Sequence, residues 1–119
     1  MNKGEGVIKR ALIAAMLVAT AAQAAAPLRF WNTSSQEFTG VYLAAPGTNH
    51  WGPNETANDP DGSVAADERL KLPDLKPGQY DVRLVNKAGR SCVVKNVTVS
   101  AGGRYAFSIG DAELKACRA

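Results

Sequence analysis

Large apolar residues alternate with polar ones in short runs, and turn-forming residues separate the runs. Leu28-Arg29-Phe30-Trp31-Asn32 predicts a first strand, with Trp31 expected in the core beside Phe30. Thr39-Gly40-Val41-Tyr42-Leu43 predicts a second, built from β-branched and aromatic residues. Arg69-Leu70-Lys71-Leu72 alternates and predicts a third, preceded by one helical turn over Ala65 to Arg69. Tyr80-Asp81-Val82-Arg83-Leu84-Val85 is the clearest strand. Tyr80, Val82 and Leu84 share one face, and Asp81 and Arg83 take the other. Cys92-Val93-Val94 and Val97-Thr98-Val99 supply further strand material. Arg104 to Ile109 predicts a last strand with Tyr105, Phe107 and Ile109 on one face. Asp111 to Cys117 suits a short helical turn that returns Cys117 to the sheet.

Between these runs lie turn signals: Thr33 to Gln36, Pro73 to Gly78, Asn86 to Gly89, and Ala101 to Gly103. From Ala45 to Ser63 no period survives, and Gly, Pro, Asn and Asp dominate. That stretch predicts a long loop, the kind that is functional or mobile in a small domain. Six or seven short strands at this spacing, with no sustained helical period, predict an all-β sandwich of the Ig-like or transthyretin-like kind.

At Leu75 to Arg90, where Pro77-Gly78 leads into Tyr80 and its strand, the chain resembles small transthyretin-like and carboxypeptidase-regulatory-like β-sandwiches. Trp51-Gly52-Pro53-Asn54, the run Asp59 to Leu70 and the terminal Cys extend the likeness to a group of small exported bacterial proteins, over roughly Phe30 to Cys117. The resemblance implies a sandwich in which the Tyr packs at a corner. It brings no activity with it.

The N-terminus changes the picture of where this fold works. Lys3, Lys9 and Arg10 precede an apolar run from Ala11 to Ala22, which closes in Ala22-Gln23-Ala24. That is the order of a secretory signal peptide, and the run is too short for a membrane span. Residues 1–24 are therefore expected to be a leader, cut after Ala24 (or after Ala26). Residues 25–119 are expected to form one domain, a monomer in the periplasm or outside the cell, with no membrane attachment. Of the 14 Lys and Arg, Lys3, Lys9 and Arg10 leave with the leader, and of the 11 acids Glu5 leaves; 11 against 10 remain, a net charge of +1. Nothing in that balance predicts a nucleic-acid partner.

Both cysteines, Cys92 and Cys117, fall in the mature part, and two Cys in a small exported domain are expected to pair. C-x-x-C redox spacing is absent.

Two segments carry candidate chemistry. Against a calcium-binding EF-hand loop, Asp59, Asp61, Gly62, Val64 and Glu68 take the third, fifth, sixth, eighth and twelfth places, while Ala57 stands where an Asp is normal. Asp59, Asp61 and Glu68 are thus the metal candidates; the competing reading is an Asx turn followed by a cap. His50, Trp51 and Asn54 form the second segment. They read as an aromatic ligand platform, or as Trp51 folding back over the core beside a solvated His50.

No nucleophile motif, zinc set or phosphate loop accompanies the single His. Asn32-Thr33-Ser34, Asn54-Glu55-Thr56 and Asn96-Val97-Thr98 fit the glycosylation pattern and read as chance in the bacterial protein that the resemblance implies. The expected function is a non-enzymatic binding or interaction module for an unknown protein or small ligand, with calcium-dependent binding through Asp59 to Glu68 as the alternative.

Overall fold

The computed structural model describes residues 26–117. The leader expected over residues 1–24 lies outside them. Six strands and one short helix follow in order: β1 Leu28–Thr33, β2 Phe38–Ala44, β3 Arg69–Leu72, β4 Gly78–Asn86, β5 Ser91–Val99, β6 Phe107–Gly110 and α1 Asp111–Lys115. They form two three-stranded sheets, ordered β3-β1-β6 and β2-β4-β5. β1 runs antiparallel to β3 and parallel to β6; β4 pairs antiparallel with both neighbours.

The inner faces of both sheets meet in one core. Phe30, Leu70, Leu72, Phe107 and Ile109 come from the first sheet, and Val41, Leu43, Val82, Leu84 and Val99 from the second. Phe30 and Phe107 stack at its centre, with ring centroids 4.9 Å apart. The fold is mostly β and sandwich-like, as the alternation predicts.

Three local expectations need correction: the helical turn, the last strand and Trp31. The helical turn falls at Glu55–Asn58 as a 3-10 turn. Residues 65–68 instead make a tight turn closed by Glu68 N donating to Ala65 O, with Asp67 at a φ of 67°. Strand β6 starts only at Phe107. Ala106 and Phe107 are both buried, so the alternation breaks and Tyr105 turns outward. Asp81 lies on the outward side of β4 yet is buried, because residues around Gly47 fold over it: its carboxylate accepts from Gly47 N and from Asn96 N. Trp31 points away from the core that its neighbour Phe30 enters, since adjacent strand residues face opposite ways. Tyr80 sits half-buried against the core, and its hydroxyl donates to Lys76 O at 2.7 Å, a corner geometry.

The segment 45–68 is a strap over one open side of the molecule. Gly52 N donates to Leu43 O, Val64 and Phe38 exchange backbone bonds, and Asn58 Nδ2 donates to Lys71 O. It therefore engages both β2 and β3, the strands that end the two sheets on that side. The opposite side, between β5 and β6, is crossed by α1. Glu113 caps its start by accepting from Gly110 N, Leu114 is buried beneath it, and Cys117 follows just after its last residue, Lys115.

Candidate functional site

The candidates named from the sequence are dispersed. Asn54 is committed to the fold: its Oδ1 accepts from Val41 N and Thr56 N, and its Nδ2 donates to Thr39 O. This amide does for the edge of β2 what a neighbouring strand would do. His50 is exposed and Trp51 half-buried on the strap, and Trp51 is not among the side chains packed against the core.

Two acids of the Asp59–Glu68 segment, Asp59 and Glu68, are likewise satisfied locally. Asp59 accepts from Asp61 N in an Asx turn, and Glu68 accepts from Ala65 N. Ser63 donates to Glu37 rather than joining them. Among the described residues, no three His, Cys, Asp or Glu side chains lie together in a group that could hold a metal ion. Cys92 and Cys117 form the expected disulfide, with Cα atoms 5.5 Å apart.

The most distinctive surface is one that composition and motifs do not single out. On β1, Phe30 and Asn32 point inward, so Arg29, Trp31 and Thr33 point outward. On β3, Leu70 and Leu72 point inward, so Arg69 and Lys71 point outward. The register places Trp31 opposite Arg69, and Arg29 opposite Lys71. The Arg69 guanidinium lies 4.4 Å over the Trp31 ring. Tyr105, 40% exposed, meets the same indole with ring centroids 5.1 Å apart and planes tilted by 57°. The indole N–H donates to Asp67 Oδ1 at 3.0 Å. Asp67 does this from the left-handed region, and its own N–H donates to Asn32 O. A non-glycine residue held there costs conformational energy, and such residues gather at sites that orient a side chain.

Cations predominate on this face, with the Asp67 carboxylate, held by the Trp31 indole, as the acid beside them. Lys87–Glu37, at 3.8 Å, is the one ion pair among the described residues. Arg29, Arg69, Lys71 and the nearby Arg104 thus have no carboxylate of a described residue within ion-pair distance. Arg29 opposite Lys71 is a like-charge cross-strand pair, which disfavours the sheet. Arg29, Arg104 and Tyr105 also line a cleft of about 740 Å3 at the adjoining turn end, walled by Leu28, Pro73, Leu75 and Pro77. The small net charge, +3 over the whole sequence, conceals this concentration. The signal lies in two strand parities read together: Arg-x-Trp on β1 and Arg-x-Lys on β3 share the outer face of one sheet.

Two carboxylates elsewhere depart from ordinary behaviour. The backbone N–H groups of Gly47 and then Asn96, with Lys95 nearby, hold Asp81 below the usual aspartate value of 3.8, against the opposing effect of burial. Burial raises Glu55 above its usual 4.5; the nearby Asp74 charge adds to this, and the bond from Asn58 opposes it. Both belong to the strap or to its contacts.

Among the described residues, no helix is long and apolar enough to cross a membrane. Compared with protein-family models, with curated proteins and with solved structures, the chain matches none of them.

Proposed function

We propose that this protein is an exported, non-enzymatic binding module of the transthyretin-like sandwich kind, and that the outer face of sheet β3-β1-β6 captures an anionic ligand. One observation carries the reading: Arg69 is stacked on a clamped Trp31, and among the described residues no carboxylate lies within ion-pair distance of its guanidinium. A guanidinium fixed in plane presents its N–H fork without first losing rotamer freedom, and that fork matches the two oxygens of a carboxylate or phosphate. The Cys92–Cys117 disulfide is in keeping with the oxidising compartment to which a leader would deliver the chain.

The test is titration with polyacrylate at low ionic strength, with uncharged polyacrylamide as the control. Binding of the charged polymer, lost in Arg69→Ala and weakened by added salt, is the expected result. No binding of polyacrylate by the wild-type protein ends the reading.

A further inference from the structure

The arrangement of cations on this face says more than that an anion binds. Arg69 and Lys71 are two residues apart on one strand, or about 7 Å along it, and Lys71 faces Arg29 across the ladder at about 5 Å. A single compact anion reaches one of these positions well and leaves the others repelling one another. A chain that carries a charge at every repeat neutralises them in sequence. The sheet face is open along its length and continues past Tyr105 and Arg104 to the turn-end cleft, so an extended chain has somewhere to lie.

The aromatic geometry then separates the kinds of polyanion. Single-stranded nucleic acid is held by bases stacking on free aromatic faces. Here one side of the Trp31 ring carries Arg69, and Tyr105 closes on the same indole. What remains exposed is the Tyr105 ring, beside cations that have no ion-pair partner among the described residues. That suits the apolar C–H surface of a sugar ring whose charged substituent reaches a guanidinium.

Resting on the anion-binding reading above, we infer that the ligand is an acidic polysaccharide, a chain of uronate-type sugars bearing one carboxylate per ring, laid across Arg29, Trp31, Arg69, Lys71 and Tyr105. The like-charge pair Arg29–Lys71 is retained at the expense of stability because the ligand supplies its counter-charge.

The experiment combines one variant with four chains of similar length: polygalacturonate, the same chain fully methyl-esterified, polyphosphate and oligothymidylate. Wild-type protein is expected to bind polygalacturonate, and to bind the esterified chain at least about tenfold more weakly because its carboxylates are gone. Lys71→Glu converts the repelling cross-strand pair into an attracting one. It is expected to raise the melting temperature while it weakens polygalacturonate binding about tenfold or more. A rise in melting together with a loss of binding is something a misfolded variant cannot produce.

Equal or tighter binding of polyphosphate or oligothymidylate overturns the polysaccharide assignment and leaves the anion reading standing. Binding of none of the three charged chains removes both. Equal binding of the esterified chain shows that charge is not what is read, and overturns the inference. So does a Lys71→Glu protein that melts higher and binds polygalacturonate as before.

Discussion

Asn32 is fully buried on the inward face of β1, where an apolar residue is the usual occupant. Its Nδ2 donates to Gln36 O, Val64 O and Ala65 O, and its Oδ1 accepts from Ser34 N and Ser34 Oγ. One side chain therefore ties the end of β1 to the strap. Asn32→Ala leaves several of these groups buried without partners, and is expected to cost about 3 kcal/mol in denaturant unfolding. A loss below about 1 kcal/mol would show that water replaces the amide. The same burial closes the first glycosylation pattern to modification in the folded protein. Gly40 is a second residue with little freedom. A Cβ there would stand 2.9 Å from Tyr42 Cε1 and 3.1 Å from Val85 Cβ, where β2 shifts register against β4. Gly40→Ala is expected to destabilise by about 1–3 kcal/mol through overpacking. At this scale the sequence was partly legible. The inward set Phe30, Val82 and Leu84 follows from alternation alone. Trp31 does not, because assigning a large aromatic to the core by size ignores that its neighbour Phe30 already occupies the inward parity. Asp81 hides for the opposite reason: its parity is outward, and only the tertiary position of Gly47 buries it.

Strands β1, β3 and β4 were legible as elements because they carry a two-residue period, and β2 and β5 through their β-branched and aromatic residues. The strap was not, because its bonds run from side-chain amides and isolated backbone groups to strands distant in sequence, which leaves no period to read. Asp59, Asp61 and Glu68 occupied calcium-like places in that unperiodic stretch, yet the oxygens of Asp59 and Glu68 serve nearby backbone donors. Asp81 anchors the strap's first part to β4 and accepts from the irregular point of β5 at Asn96, which sits at a φ of 56°. Its folded-state pKa lies below the ordinary 3.8, so it contributes stability at pH values above the unfolded value. That contribution disappears as pH falls through the lower, folded value. Wild-type protein is therefore expected to lose stability in the acid range below about pH 5. Asp81→Asn is expected to be less stable at neutral pH and to show a shallower acid decline, read by thermal melts across pH. Identical acid slopes in the two proteins would remove Asp81 from the account. Glu55 acts with the opposite sign. Its raised pKa means that its folded environment favours the protonated form, and stability falls as pH rises through the folded value. Glu55→Gln is thus expected to melt slightly higher than wild type at pH 7, with the difference gone well below pH 4.5.

Across the whole molecule, the two open sides of the sandwich are closed by different means. The β2–β3 side is closed by the strap through many dispersed hydrogen bonds. The β5–β6 side has few contacts between its strands' own residues, and depends on α1 and the Cys92–Cys117 bridge. α1 has five residues, too few to be stable alone, and buries only Leu114. The bridge spans 25 residues of sequence, and closing a loop of that size removes about 3.5 kcal/mol of unfolded-state freedom in the chain-entropy description. For a domain this small, that is a large share of the total stability. Cys117→Ala is therefore expected to melt well below wild type. Hydrogen exchange in the variant should show residues 107–117 losing protection before β1, β2 or β4, since the remaining β2-β4-β5 ladder does not depend on the bridge. Thiol titration of the wild-type protein, denatured without reductant, should find no free thiol. If α1 keeps its protection in Cys117→Ala, Leu114 and the Glu113 cap suffice to hold it, and the bridge acts only on the unfolded chain. Early loss of α1 and β6 places its action in the folded state as well, where the bridge draws the C-terminal segment across the one side of the sandwich that the strap leaves open.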